Sequence, residues 1–223
     1  MGSDMAVVDG IRPTRRIVLA EVAGFCFGVK RAVEMTLTAR KQQAGRLTTL
    51  GPLIHNNQVI DRMRAEGVVM ATDMADIRSG TVVMSAHGVA PGVQEQAAAQ
   101  GLRVLDVTCP FVTKVHRSAR QLYEQGYQVL LVGDKGHTEV KGVVGAVEAL
   151  GGGVTVVSSA EEVGSLDLGK KVGVVSQTTQ YTETFAAVVG AVCRRVTDVR
   201  AINTVCGATD ELQEAAIRLA RQV

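Results

Sequence analysis

The chain has 223 residues, 46% of them hydrophobic and 3% aromatic, with a formal net charge of +2. That length accommodates one large domain or two ordinary ones, and with so few rings the core falls to Val, Leu, Ala and Gly, which suits α/β layers better than a β-sandwich. The small charge gives no argument for a nucleic acid or an anionic membrane as partner, and no apolar run reaches the roughly 18 residues of a bilayer span.

Residues 1–15 read as a leader or an expression scar, without the charged start and long apolar stretch of a secretory signal, so a cytoplasmic protein is the expectation. Short Val-, Leu- and Ile-rich runs bounded by Gly or polar residues predict strands at 16–20, 47–50, 68–70, 81–85, 103–107, 128–132, 154–157, 172–175 and 199–203. Helical spacing fills the intervals. Pro91 opens a helix that Gly101 closes. Val112, Val115, Ala119 and Leu122 form one apolar face, ended by Gly126. The apolar run from Ala186 to Val192 places Cys193 in the core. Leu212, Ala216, Leu219 and Val223 form a further face. Gly151-Gly152-Gly153 separates a helix from a strand and reads as a turn, because phosphate loops precede helices. With no GxGxxG and no Walker sequence, no nucleotide cofactor is expected. Alternating strands and helices predict repeated parallel-sheet lobes: residues 16–108, residues 109–205, and the start of a third at 206–223.

Three cysteines mark the repeat. Cys26, Cys109 and Cys206 each follow an apolar strand-like run and open a helix. A thiol at a helix N-terminus meets unpaired N–H groups and the positive end of the dipole, which favour the metal-binding thiolate. In a cytosolic chain without a C-x-x-C pair, three such positions suggest converging ligands rather than disulfides. Three thiolates leave one iron of a four-iron cluster open, so that it can act on a substrate oxygen while the cluster carries electrons.

Ligands of parallel sheets bind beyond the carboxyl ends of the strands. There the chain places His55, His87, His137, Glu139, Thr178 and Thr179, a set suited to a phosphate or diphosphate. Glu139 reads equally as a catalytic acid and as a first-turn helix acid, and the two threonines as site residues or caps. His116 lies inside a helix and reads as a packing or surface residue. Besides a cluster enzyme, two readings stay open: a non-catalytic iron–sulfur redox-sensing or diphosphate-binding module, and a zinc hydrolase, which would lack HExxH and leave the cysteines unexplained.

Seven segments occur in order: Gly24-Phe25-Cys26-Phe27-Gly28-Val29-Lys30-Arg31-Ala32, Ile54-His55-Asn56, Ser85-Ala86-His87-Gly88, Asp106-Val107-Thr108-Cys109-Pro110 with Thr113-Lys114-Val115-His116, Gly136-His137-Thr138-Glu139-Val140, Gln177-Thr178-Thr179 and Asn203-Thr204-Val205-Cys206. Together they resemble the 4-hydroxy-3-methylbut-2-enyl diphosphate reductase (LytB) family over nearly all of the chain after residue 15. The resemblance implies a 4Fe-4S cluster held by Cys26, Cys109 and Cys206. It implies that His55, His87 and His137 bind the diphosphate or the hydroxyl region of the substrate, that Glu139 supplies protons and that Thr178 orients the hydroxyl. The implied reaction is reductive dehydroxylation of (E)-4-hydroxy-3-methylbut-2-enyl diphosphate to isopentenyl and dimethylallyl diphosphates, the last step of the methylerythritol phosphate route. Ferredoxin or flavodoxin is the implied electron donor. The family fold is three α/β lobes around a central cluster. Its members continue past the third cysteine with a Ser-x-Asn strand and a later Ser that hold the diphosphate. The third lobe is therefore expected to be incomplete, and the chain by itself poorly stable and poorly active.

Overall fold

The segment Gln128-Val129-Leu130-Leu131-Val132 shows how the molecule is layered. Side chains alternate across a strand, so Val129 and Leu131 enter one apolar cluster with Val115, Ala119 and Leu122, while Leu130 and Val132 enter another with Val172, Val174 and Val188. A strand apolar on both faces needs helices on both sides, which is the parallel-sheet condition. The computed structural model describes residues 17–223. The predicted leader or scar at 1–15, and Arg16 of the first predicted strand, lie outside the described residues.

Two sheets result. The first comprises β1 (Leu47–Leu50), β2 (Val69–Ala71), β3 (Thr81–Met84) and β4 (Arg103–Asp106), in the order β2-β1-β3-β4. The second comprises β5 (Gln128–Val132), β6 (Val154–Val157), β7 (Lys171–Ser176) and β8 (Asp198–Ala201), in the order β6-β5-β7-β8. All pairings are parallel. The helices are α1 (Phe27–Gln42), α2 (Asn57–Ala65), α3 (Pro91–Ala99), α4 (Pro110–Glu124), α5 (Thr138–Glu148), α6 (Ala160–Val163), α7 (Thr182–Cys193) and α8 (Gly207–Ala220). The α/β reading, with two parallel-sheet lobes flanked by helices, is borne out. No helix among the described residues is long and apolar enough to cross a membrane.

The face predicted for residues 112–122 becomes the buried face of α4, with Val115, Ala119 and Leu122 fully buried. It presses so closely on β7 that a Cβ at Gly173 would lie 2.8 Å from Leu122 Cδ2. Helix α5 carries the joint between the lobes. A Cβ at Gly145 would lie 2.5 Å from that of Ala90, and one at Gly142 would lie 3.1 Å from Cε1 of His116. These two glycines, one turn apart, let α5 approach the end of the first sheet.

Three expectations differ from the structure. Residues 17–20 form no strand, and Ile17 and Leu19 are 88% and 81% exposed. An apolar tetrapeptide holds no ladder without a neighbouring strand, and none lies beside it among the described residues. Cys193 is exposed rather than in the core: the buried stripe of α7 is Phe185, Val188, Ala191 and Val192, and the next residue turns about 100° away from it. Of the face predicted on the last helix, Leu212 and Leu219 are half-buried, Ala216 is exposed and Val223 lies beyond α8, the buried residue being Ala215.

Strand order places the site. In each sheet the second strand in sequence lies to one side of the first and the third to the other, so the order reverses between β1 and β3 and again between β5 and β7. Loops leaving the carboxyl ends of such a strand pair diverge and open a crevice. His55 follows β1 and His87 follows β3; His137 and Glu139 follow β5 and Thr178 follows β7. Both crevices are thus lined by residues that the sequence nominates.

Candidate active site

The three strand-end histidines meet. Ring centroids lie 4.3 Å apart for His55 and His87, 5.4 Å for His55 and His137, and 5.5 Å for His87 and His137. One nitrogen from each falls within 4.8 Å of the others. His137 caps α5, its Nδ1 accepting from the Glu139 N–H at 3.1 Å, so a ring proton resides on Nε2, the nitrogen left for a ligand. His87 Nδ1 is buried without a hydrogen-bond partner, as is Ser85 Oγ in the same loop. Burial, reinforced by the charges of His55 and His137, pushes the His87 pKa down to about 4. Burial also lowers that of His137, with His55 adding and Asp134 opposing. An anion placed among the rings would reverse that balance and favour imidazolium.

Glu139 occupies the second position of α5 and is 1% exposed. Its Oε1 accepts from the Thr178 N–H and its Oε2 from the Thr178 Oγ1–H, both at 2.7 Å. Burial raises the pKa of this carboxyl, although the two bonds from Thr178 pull the other way. The Thr178 carbonyl in turn accepts from the Cys206 N–H at 2.8 Å. The carboxyl, the hydroxyl and the third cysteine are therefore held in one chain of contacts.

The three cysteines are the N-caps of α1, α4 and α8, each with extended backbone and no side-chain capping bond. Such caps leave first-turn N–H groups facing the sulfur. The Cys109 N–H donates to the Ala86 carbonyl at 3.0 Å, joining the second cysteine to the His87 loop. Gly28 lies against two sulfurs, since a Cβ there would sit 2.5 Å from Cys109 Sγ and 4.0 Å from Cys26 Sγ. For Cys109 the helix start does not decide the outcome. Burial raises its pKa, the N–H groups of Phe111 and Val112 lower it, and Cys206 and Cys26 raise it further. A Cys109 thiol whose ionisation burial and the two neighbouring cysteines disfavour, beside a glycine that leaves its sulfur room, fits a shared cationic group, which would relieve that cost.

Other residues of the motifs hold these groups in place. Gln177, 1% exposed, accepts the Asp134 N–H on Oε1 and donates to Thr179 Oγ1. Thr204 pins the loop before Cys206 to β7, accepting the Ser176 N–H and donating to the Ser176 carbonyl. Neither residue stands out as a site residue in the sequence; their signal is a polar side chain in a motif whose backbone must be buried. His116 packs with its unpartnered Nε2 between Gly88 and Gly142, as a packing residue would.

The comparisons agree with this architecture. The family model described as "LytB protein" matches residues 17–223. A 4-hydroxy-3-methylbut-2-enyl diphosphate reductase of Aquifex aeolicus is 42% identical, and one of Geobacter sulfurreducens 45% identical, each over 207 residues that span 93% of this chain and 72% of the relative. The solved structure of an (E)-4-hydroxy-3-methyl-but-2-enyl diphosphate reductase, described as the terminal enzyme of the non-mevalonate pathway, superposes with a TM-score of 0.80 at 42% identity, covering 93% of this chain and 74% of that one. A reductase from Plasmodium falciparum superposes with a TM-score of 0.82 at 28% identity, covering 89% of this chain and 63% of that one. On the family match and on these identities, the chain belongs to the LytB family.

Proposed function

We propose that this chain catalyses the reductive dehydroxylation of (E)-4-hydroxy-3-methylbut-2-enyl diphosphate to isopentenyl and dimethylallyl diphosphates, the closing step of the methylerythritol phosphate route. The observation that carries the reading is a buried, hydrogen-bonded Glu139–Thr178 pair in a chain that also clusters three imidazoles and belongs to this family. The reaction takes two electrons and two protons, breaks one C–O bond, forms one C–H bond and releases water. Cys26, Cys109 and Cys206 would hold a 4Fe-4S cluster, a reading supported by the three helix-capping positions and by the glycine against the Cys109 and Cys26 sulfurs. When bound, the cluster supplies the electrons and a Lewis-acidic iron.

The protein's own groups do the rest. His55, His87 and His137 receive the diphosphate, gaining protons as its charge arrives. Thr178 Oγ1 orients the substrate hydroxyl. Glu139, whose pKa burial raises, passes a proton through the Thr178 hydroxyl so that the oxygen leaves as water. Exclusion of water on substrate binding would guard the allylic carbanion equivalent until a second proton reaches it. A small electron-carrier protein, ferredoxin or flavodoxin, is the proposed donor, in a cytoplasmic setting. Residues 16–108 and 109–205 are proposed as the two lobes that share this site, with 206–223 beginning a third.

The test is anaerobic incubation of the iron-loaded chain with the allylic diphosphate and a chemical reductant. Formation of both five-carbon diphosphates is expected. An iron-loaded chain that binds the substrate but returns it unchanged would favour a sensing or binding module instead.

A further inference from the structure

A second feature lies on the outer side of the first two cysteine-capped helices. A groove of about 440 Å³ is lined by Arg31, Asp106, Thr108, Pro110, Thr113, Lys114 and Arg117. Three of these side chains are cationic and one is acidic. The acid is exposed and held by local hydrogen bonds: Asp106 Oδ1 accepts from the Thr108 N–H and Oγ1–H, and Oδ2 accepts from Gln94. Arg31 donates to the Thr108 carbonyl at 3.2 Å, which ties α1 to the start of α4. Lys114 and Arg117 are exposed, and among the described residues neither forms an ion pair. Lys30 and Arg120, both exposed, extend the strip at its two ends in sequence. In a chain with a net charge of only +2, the groove lining thus sets three cations against one carboxylate.

That place is set by the cysteines. Thr108 and Pro110 flank Cys109 in the chain, and Arg31 lies in the second turn of the helix capped by Cys26. None of the three site histidines lines the groove. An acidic protein seated on it would meet the residues that flank Cys109 and the helix that Cys26 caps. Clustered, unpaired cations of this kind raise the encounter rate of an oppositely charged protein and hold it weakly, as a carrier that must leave after each electron requires.

We propose that this groove is the docking surface for an acidic one-electron carrier protein, with Lys114 and Arg117 as its exposed contacts. The proposal rests on the reductase reading given above, and binding and turnover test the two separately.

The experiment compares the full chain with its Lys114→Glu/Arg117→Glu variant, and with Lys114→Gln/Arg117→Gln as a milder form. A plant-type ferredoxin and a flavodoxin serve as probes. Their affinity is measured by calorimetry at low and at physiological salt, and turnover is measured with each carrier and with dithionite plus methyl viologen. For the charge-reversed variant we expect carrier affinity to fall by about tenfold or more, a flatter salt dependence, and a higher KM for the carrier. Viologen-driven turnover should stay within about twofold of wild type, because a small reductant needs no docking surface. The neutral variant should fall between. Unchanged carrier affinity would overturn the proposal. So would equal losses with both reductants, or loss of inorganic diphosphate affinity while carrier affinity is kept, which would make the groove a small-anion site. If wild-type chain fails to turn over with viologen, the reductase reading falls, and carrier affinity alone still decides the groove.

Discussion

Glu139 is pulled in two directions, and the balance sets its chemistry. A carboxyl with 1% exposure favours its neutral form, whereas two hydrogen bonds donated by Thr178 favour the anion. Burial is the larger influence, so the carboxyl holds its proton more tightly than a solvated glutamate does. Glu139→Gln keeps the size and the acceptor oxygen but holds no acidic proton. Turnover should fall by about 10²- to 10⁴-fold, with iron and sulfide content per chain unchanged. His87 makes a prediction of opposite sign. Its pKa falls from 6.5 to about 4 on folding, so the unfolded chain binds more protons between those values and stability rises with pH. The contribution is full above pH 6.5 and is lost as pH falls through about 4. Urea unfolding of the iron-free chain at several pH values should show this slope, weakened in His87→Gln. Because an anion restores the charge on His87 and His137, inorganic diphosphate should bind with net proton uptake. Calorimetry in buffers of different ionisation heat reads that directly.

At the scale of elements, α5 carries the tightest constraints. It opens with His137 and Glu139 and, one turn on, presents Gly142 to His116 of α4. In Gly142→Ala the new Cβ would press on the imidazole at 3.1 Å, an overpacking that costs about 1–3 kcal/mol. His116→Ala should recover part of that loss in the double variant, a coupling measurable in a urea-melt cycle, because each side chain then fits the space the other vacates. Much of this level was legible in the sequence. The eight strands that form coincide with eight of the nine predicted runs to within about two residues, because alternation and turn residues are local signals. The ninth, predicted at 16–20, forms no strand over its described residues 17–20, because a strand also needs a partner, and partners are not written in the run itself. Cys193 failed for a related reason: an apolar neighbourhood in sequence does not say which way the last turn of a helix faces. The strand-end residues were legible, since parallel topology sends them to one rim. The interplay of Gly142, His116 and Gly88 was not, because it joins segments from different elements.

The whole molecule repeats one topology twice, β2-β1-β3-β4 and β6-β5-β7-β8, and brings the two crevices to a common site. His55 and His87 come from the first crevice, His137 and Glu139 from the second, and their rings still lie within 5.5 Å of one another. Two of the three histidines and the Glu139–Thr178 pair are therefore supplied from opposite sides of the joint where α5 meets Ala90. Gly145→Leu, which forces a side chain against Ala90, should raise KM and lower kcat together while leaving the helical content of each lobe intact, as read by circular dichroism. The cysteines, drawn from three distant points of the chain, extend the same logic. Serine at Cys26, Cys109 or Cys206 should each lower the iron content well below the roughly four per chain expected of a complete cluster.

The parallel pairing of all strands has a kinetic consequence. Without a hairpin among the described residues, no two strands can zip up from a tight turn; each pairing waits for an intervening segment to be threaded across a sheet face. Closing such loops spends chain entropy before contacts repay it, so refolding from denaturant should be slow and its early, half-zipped species sticky. Cool, dilute conditions and slow synthesis are then the circumstances in which this chain reaches its native state in good yield.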